Sequence, residues 1–159
     1  MMSRQLFLFR MCNLCCARRW HDVGARPILD SMATDMGSFR IDVELENSAI
    51  TGVRRLVRNV LVDTAAELSC FPGAVLDALG IPRRLLRRFR QSDGSVLERW
   101  TGPVSLYAAG IWTVDQVIFG EPGDLVLLGS RSLEGLNLRI DPVAKRLTDA
   151  GPMPLAATE

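Results

Sequence analysis

Val60, Leu61 and Val62 form an apolar run that stops at an acid, Asp63, and Thr64, Ala65 and Ala66 follow it. An ionised carboxylate is costly to hold against an apolar floor. An aspartate here therefore has two readings. Its side chain can close an Asx turn and merely end a strand. Alternatively, it is held there for chemistry, as a group that takes or gives a proton.

Other chemistry-bearing residues are few. His21 is the one histidine, which excludes a His-rich metal site and argues against a Ser-His triad. Ser130 and Ser132 have no evident base to activate them. Cys12, Cys15 and Cys16 sit together near the start and Cys70 stands alone. "CNLC" has the spacing of a zinc half-site, but no second half-site follows it. Neither a metal nor a cofactor is expected, and the cysteines read as reduced thiols of a cytoplasmic protein rather than a disulfide framework.

The 159 residues are 48% hydrophobic and 23% charged, which suits one globular domain with a core of its own. A net charge of +1 gives no overall pull toward nucleic acid or membrane, and no apolar stretch approaches the roughly 20 residues of a membrane span. The strongest competing signal is the cluster Arg83, Arg84, Arg87, Arg88 and Arg90. Such clusters can bind phosphate backbones. Only Phe89 interleaves, however, and no nucleic-acid motif frames the cluster, so Leu85, Leu86 and Phe89 are read as anchors for a segment whose arginines are solvated. Trp100, Tyr107 and Trp112 are read as core and interface aromatics.

The elements that must position Asp63 follow from local patterns. Residues 1–36 show no steady period and read as a disordered leader or a mis-assigned start. From 37 onward, Phe39, Ile41, Val43 and Leu45 alternate with Arg40, Asp42, Glu44 and Glu46, the pattern of a half-buried strand. "VRRLVRNVLVD" reads as a second strand. "PGAVLDALG" has proline near a helix start and glycine just past its end. Asp93-Gly94 is a hairpin turn, two more short strands flank Gly110, and Pro122-Gly123 marks another turn. "LVLL" is an apolar strand before Gly129, followed by a short helix near Arg131 to Gly135 and a hairpin turning at Asp141-Pro142. Residues 150–159 read as a flexible tail.

Taken in order, these stretches resemble the retropepsin-like aspartic proteases, in particular small stand-alone bacterial members. "LVDTAAELSCFP" resembles the family's Asp-Thr-Gly-Ala stretch on an apolar strand. "LVLLGSRSLEGLNLRIDP" looks like its second signature, apolar residues and a glycine before a short helix. A glycine-tipped hairpin lies between the two. The likeness spans residues 37–149. Asp63, Thr64, Ala66 and Gly129 match the pattern; Ala65 stands where the family has glycine.

The resemblance implies a mainly β, closed β-barrel domain with one or two short helices and an active site at a homodimer interface. It implies hydrolysis of polypeptide by two carboxylates that share one proton around a water. The chain has one such aspartate, so the second must come from a second copy. In this reading Asp63, Thr64 and Ala65 form the catalytic loop, and Ala66, Asp93, Gly94, Leu128 and Gly129 contact substrate. The hairpin at Asp93-Gly94 closes over the peptide as a flap. The methyl of Ala65 is expected to strain the pair and slow it if φ there is positive or the methyl meets its symmetry mate. The alternative is a dimerisation or peptide-binding module impaired by Ala65.

Overall fold

The computed structural model describes residues 39–155; the expected leader at residues 1–36, with the three clustered cysteines, falls among residues 1–38, which with the last four residues lie outside that range. The described chain is mainly β with two short helices. The order is β1 (Arg40–Asn47), β2 (Arg54–Val62), β3 (Cys70–Pro72), α1 (Gly73–Ala78), β4 (Leu85–Arg90), β5 (Val96–Ala108), β6 (Ile111–Gly120), β7 (Leu127–Leu128), α2 (Ser130–Gly135), β8 (Leu138–Asp141) and β9 (Arg146–Asp149).

Seven strands lie in the order β1-β2-β7-β3-β6-β5-β4, and β1 also pairs with β5, so six of them close into a ring with β4 outside it. β8 and β9 form a separate hairpin. Most neighbours are antiparallel, but β2–β7 and β3–β6 are parallel. The core inside the ring includes Val43, Leu45, Val60, Phe71, Leu76, Leu106, Phe119 and Leu128.

One irregularity in β2 bears directly on Asp63. Ile41 pairs with Val60 and Val43 with Val57, so β2 carries one extra residue opposite β1. The bulge is at Asn59, whose φ is +60°, and Asp42 Oδ1 accepts the Asn59 N–H at 3.0 Å. A one-residue insertion flips the side of every residue beyond it. An unbroken strand would group Val57 with Asn59, Leu61 and Asp63. With the bulge, Val57, Val60 and Val62 are buried, while Leu61 and Asp63 are only half-buried.

The first strand departs from its expected alternation at its end. Glu46 is buried, not exposed, because β5 covers β1 on the side that β2 leaves free. The Tyr107 O–H and the Gly52 N–H each donate to its carboxylate at 2.5 Å. These two bonds, helped by Arg54, hold the Glu46 carboxyl below its ordinary value. A depressed carboxyl stabilises the fold above its unfolded value of about 4.5 and loses that contribution as pH falls through the folded value. Tyr107→Phe removes the principal donor. Its stability deficit relative to wild type is therefore expected to be full at neutral pH and to shrink below about pH 4.5, as urea unfolding across pH 3–7 would read.

Two other expectations are corrected. Leu85 and Leu86 do not anchor β4: they are 47% and 46% exposed, because among the described strands β4 pairs only with β5, at the edge of the sheet. Phe89 alone is half-buried there. The aromatics are not core residues either. Trp100 and Trp112 are 40% and 60% exposed, and Tyr107 is half-buried on the outer face, where it stacks on Trp112 and the Arg54 guanidinium lies over its ring. The start of the expected tail is tied down, since Ala150 donates to the Asn137 carbonyl at 2.9 Å and Asn137 Nδ2 to the Gly151 carbonyl at 2.8 Å.

Candidate active site

Asp63 follows directly on β2, and two short-range constraints fix it. Its N–H donates to the Leu128 carbonyl at 3.0 Å, continuing the parallel β2–β7 pairing one residue further. Its Oδ1 accepts the Ala65 N–H at 2.9 Å, the bond of an Asx turn. The turn exposes Thr64 and Ala65 and returns the chain inward at Ala66. Among the described residues Asp63 Oδ2 has no hydrogen-bond partner, so one carboxylate oxygen holds the turn and the other is available. Ala65 is not among the residues with positive φ. The Ala65 backbone angle is therefore one that alanine adopts readily, and one of the two conditions for a slowed site is not met.

The next turn of chain is locked to the start of α2. The Ala66 carbonyl accepts the Ser130 N–H at 2.8 Å, and the Glu67 carbonyl accepts the Arg131 N–H at 3.1 Å. Gly129 sits where these strands of backbone meet. A Cβ there would lie 2.7 Å from the Leu68 carbonyl carbon and 2.9 Å from the Ala66 and Glu67 oxygens, so only glycine fits without a shift.

Beneath the loop runs a buried polar chain that sequence reasoning missed. The Gly129 N–H donates to Ser69 Oγ at 2.9 Å, and the Ser132 O–H donates to Asp115 Oδ2 at 2.7 Å. The Ser69 hydroxyl proton thus bridges to Ser132 Oγ, 2.6 Å away. Arg131 and the Gln116 N–H complete the Asp115 carboxylate at 3.2 and 2.7 Å. The expectation that no base faces Ser132 is corrected: Asp115 does. Ser132 has no solvent exposure, however, and its hydroxyl is committed to holding the loops together, so the pair has no reach to a substrate. The period-2 alternation of "VDQVIF" puts Asp115 on the same face as Val117 and Phe119, and that signal could have marked it as buried. Ser132→Ala leaves Asp115 and Ser69 short of a partner, and equilibrium unfolding is expected to show a loss of about 1–3 kcal/mol.

Asp63, Ala65 and Ala66 line one side of an open groove of about 640 Å³. Phe89, Leu97 and the arm Arg88–Ser92 line the other, with Cys70, Ile118, Leu125 and Leu127 between them. The other acids on its walls are Glu67 and Asp124. Asp124 is taken up by Arg99, which grips both its oxygens at 2.7 and 3.1 Å and also meets Glu121 at 3.3 Å. That grip holds Asp124 below the usual carboxylate range. Burial pushes the Cys70 thiol up to about 12, so it stays protonated at neutral pH.

The sequence-selected residues are only partly brought together. Asp63, Ala65 and Ala66 share the groove, with Thr64 at its exposed edge. Leu128 is fully buried behind the loop, and Gly129 supports it from within. Asp93 and Gly94 are at the hairpin tip, beyond the arm that lines the groove. Asp93 holds that tip: the Ser95 side chain and N–H keep its carboxyl below its ordinary value, and Oδ1 accepts the Ser95 N–H at 2.8 Å. Of the remaining aspartates considered, Asp42 supports the bulge and Asp141 caps the N–H groups of Val143 and Ala144. Among the described residues no three His, Cys, Asp or Glu side chains gather to hold a metal, and no helix is long and apolar enough to cross a membrane.

No family model matches the chain, and no curated protein matches its sequence.

Proposed function

We propose that residues 37–149 form a retropepsin-like closed β-barrel that works as a homodimeric aspartic endopeptidase, with one Asp63 from each copy. The observation that carries this reading is the placement of Asp63. A bulge turns it out of the core, a parallel strand pairing fixes its backbone, and one of its oxygens has no partner among the described residues, at the wall of an open groove with Cys70, Ile118, Leu125 and Leu127 in its lining. A cytoplasmic location and a cofactor-free reaction belong to the same reading.

The chemistry follows from two like charges at close range, which cannot both ionise easily, so the pair keeps one proton. The ionised carboxylate takes a proton from water as the water oxygen bonds to the scissile carbonyl carbon. The protonated partner gives its proton to the carbonyl oxygen. The resulting tetrahedral diol then collapses: the C–N bond breaks, one hydroxyl proton returns to a carboxylate, and the leaving nitrogen is protonated. The dyad ends with the one proton it began with.

The second copy is needed because the chain's other aspartates on or near the groove are occupied locally, as Asp124 is by Arg99. The exposed Thr64–Ala65 edge is the surface available for it. The test is direct. Sedimentation at micromolar concentration should show a dimer, and a denatured protein substrate at mildly acid pH should be cleaved, with cleavage blocked by a hydroxyl-bearing peptide analogue of the tetrahedral diol. A monomer that cleaves, or a dimer that cleaves nothing, would overturn the reading in its first or second half respectively.

A further inference from the structure

The geometry points to extended polypeptides that carry acidic side chains beside an apolar centre as the ligands of this groove, an inference that rests on the peptide-cleft reading above. Residues 83–99 hold six arginines against two acids, a local charge of +4 in a chain whose net charge is +1. Most of that charge sits on β4, the arm that walls the groove, and little of it is neutralised. Arg99 is satisfied by Asp124 and Glu121, and Arg83 by Asp77 at 2.7 Å. Arg88 meets Glu98 only at 3.8 Å, with both side chains more than half exposed. Arg87 reaches a neutral Gln116 at 3.4 Å, and Arg84 and Arg90 have no acid partner among the described residues. Cations packed this closely repel one another and gain from an added anion.

The register shows what shape of anion suits them. Arg87 pairs with Arg99 and Phe89 with Leu97, so Arg87 shares a face with the groove-lining Phe89, one pleat away; Arg88 and Arg90 flank Phe89 along the strand. A peptide laid along β4 presents side chains of one face about 6–7 Å apart. An apolar residue against Phe89, Leu97 and Ile118 then puts its neighbours in that row within range of the arginines. A nucleic-acid strand fits less well. It bears a charge at every unit, and the facing wall carries Asp63, Glu67 and Asp124. The aromatic suited to stacking a base, Trp100, does not line the groove.

The test separates binding from catalysis by using the full chain carrying Asp63→Asn. Three fluorescein-labelled decapeptides with the same Phe-Leu centre, flanked by Glu, Gln or Lys, are titrated by anisotropy at low salt and at 0.5 M salt. The Glu peptide is expected to bind about tenfold tighter than the Gln peptide at low salt, and the Lys peptide weakest. The preference should fade at high salt and below about pH 4, where glutamates protonate. Arg87→Gln, Arg88→Gln and Arg90→Gln combined should bring the Glu peptide down to the Gln value with an unchanged melting temperature, since all three side chains are exposed. Equal affinities for the three peptides, or a preference that survives the triple substitution, would overturn the inference while leaving the peptidase reading standing. A single-stranded oligonucleotide of equal charge that binds tighter than the Glu peptide, and loses binding in the triple variant, would overturn it in favour of a phosphate-binding arm. If wild type cleaves no peptide while Asp63→Asn binds the Glu peptide selectively, the peptidase reading fails and this one stands.

Discussion

Asp63→Asn is expected to lower kcat by about 10³–10⁴-fold on any peptide that the wild-type chain cleaves, with little change in melting temperature. Asparagine keeps the size of the side chain, and its oxygen can still accept the Ala65 N–H, so the turn survives. What it cannot do is hold and release a proton, as the proposed dyad requires. Glu67→Gln is the matched control, because Glu67 is the other groove-wall carboxylate not gripped by an arginine. It is expected to leave kcat within a few-fold of wild type. If Glu67→Gln costs as much as Asp63→Asn, both acids come from one chain and the homodimeric arrangement falls. Ala65→Gly completes the set. Its backbone already has a negative φ, so glycine gains no relief and loses about 0.4–1 kcal/mol through a freer unfolded chain. A large rise in kcat for Ala65→Gly would instead mean that the methyl meets its copy across the dimer axis.

Gly129→Ala is expected to have the largest effect on stability, about 3 kcal/mol in equilibrium unfolding. The added Cβ meets three backbone atoms at 2.7–2.9 Å, and backbone cannot swing aside as a flexible side chain can. The atoms it pushes on belong to Ala66, Glu67 and Leu68, which continue the Asp63 turn. Relief by moving that loop also breaks the Ser130 and Arg131 bonds to it and pulls Ser69 from the Gly129 N–H. On the proposed reading, any peptide hydrolysis should therefore fall even in the folded fraction, since a displacement of about 1 Å can cost on the order of a hundredfold in rate. A Gly129→Ala chain with wild-type unfolding midpoint and wild-type kcat would show that the loop tolerates the shift and that Gly129 does not fix Asp63.

The sequence by itself determined the punctuation of this fold. Gly80 past α1, Asp93-Gly94, Gly110, Pro122-Gly123 and Asp141-Pro142 all mark real ends and turns. They could be read because a turn is settled by the backbone freedom and local hydrogen bonds of a few adjacent residues. The apolar faces of β1 and of the end of β2 were legible for a similar reason, as burial of a strand leaves a period of two. Tertiary structure alone decided what each face meets. Asp63 reaches the groove because Asn59 bulges against β1, and a bulge depends on the partner strand's register. Glu46 and Asp115 are buried because β5 closes on β1 and α2 packs by β6, giving each acid the donors that offset its desolvation. Leu85 and Leu86 stay exposed because β4 falls outside the ring. A residue's own pattern says which side of a strand it takes, while the cost or gain of that side is set by chain tens of residues away.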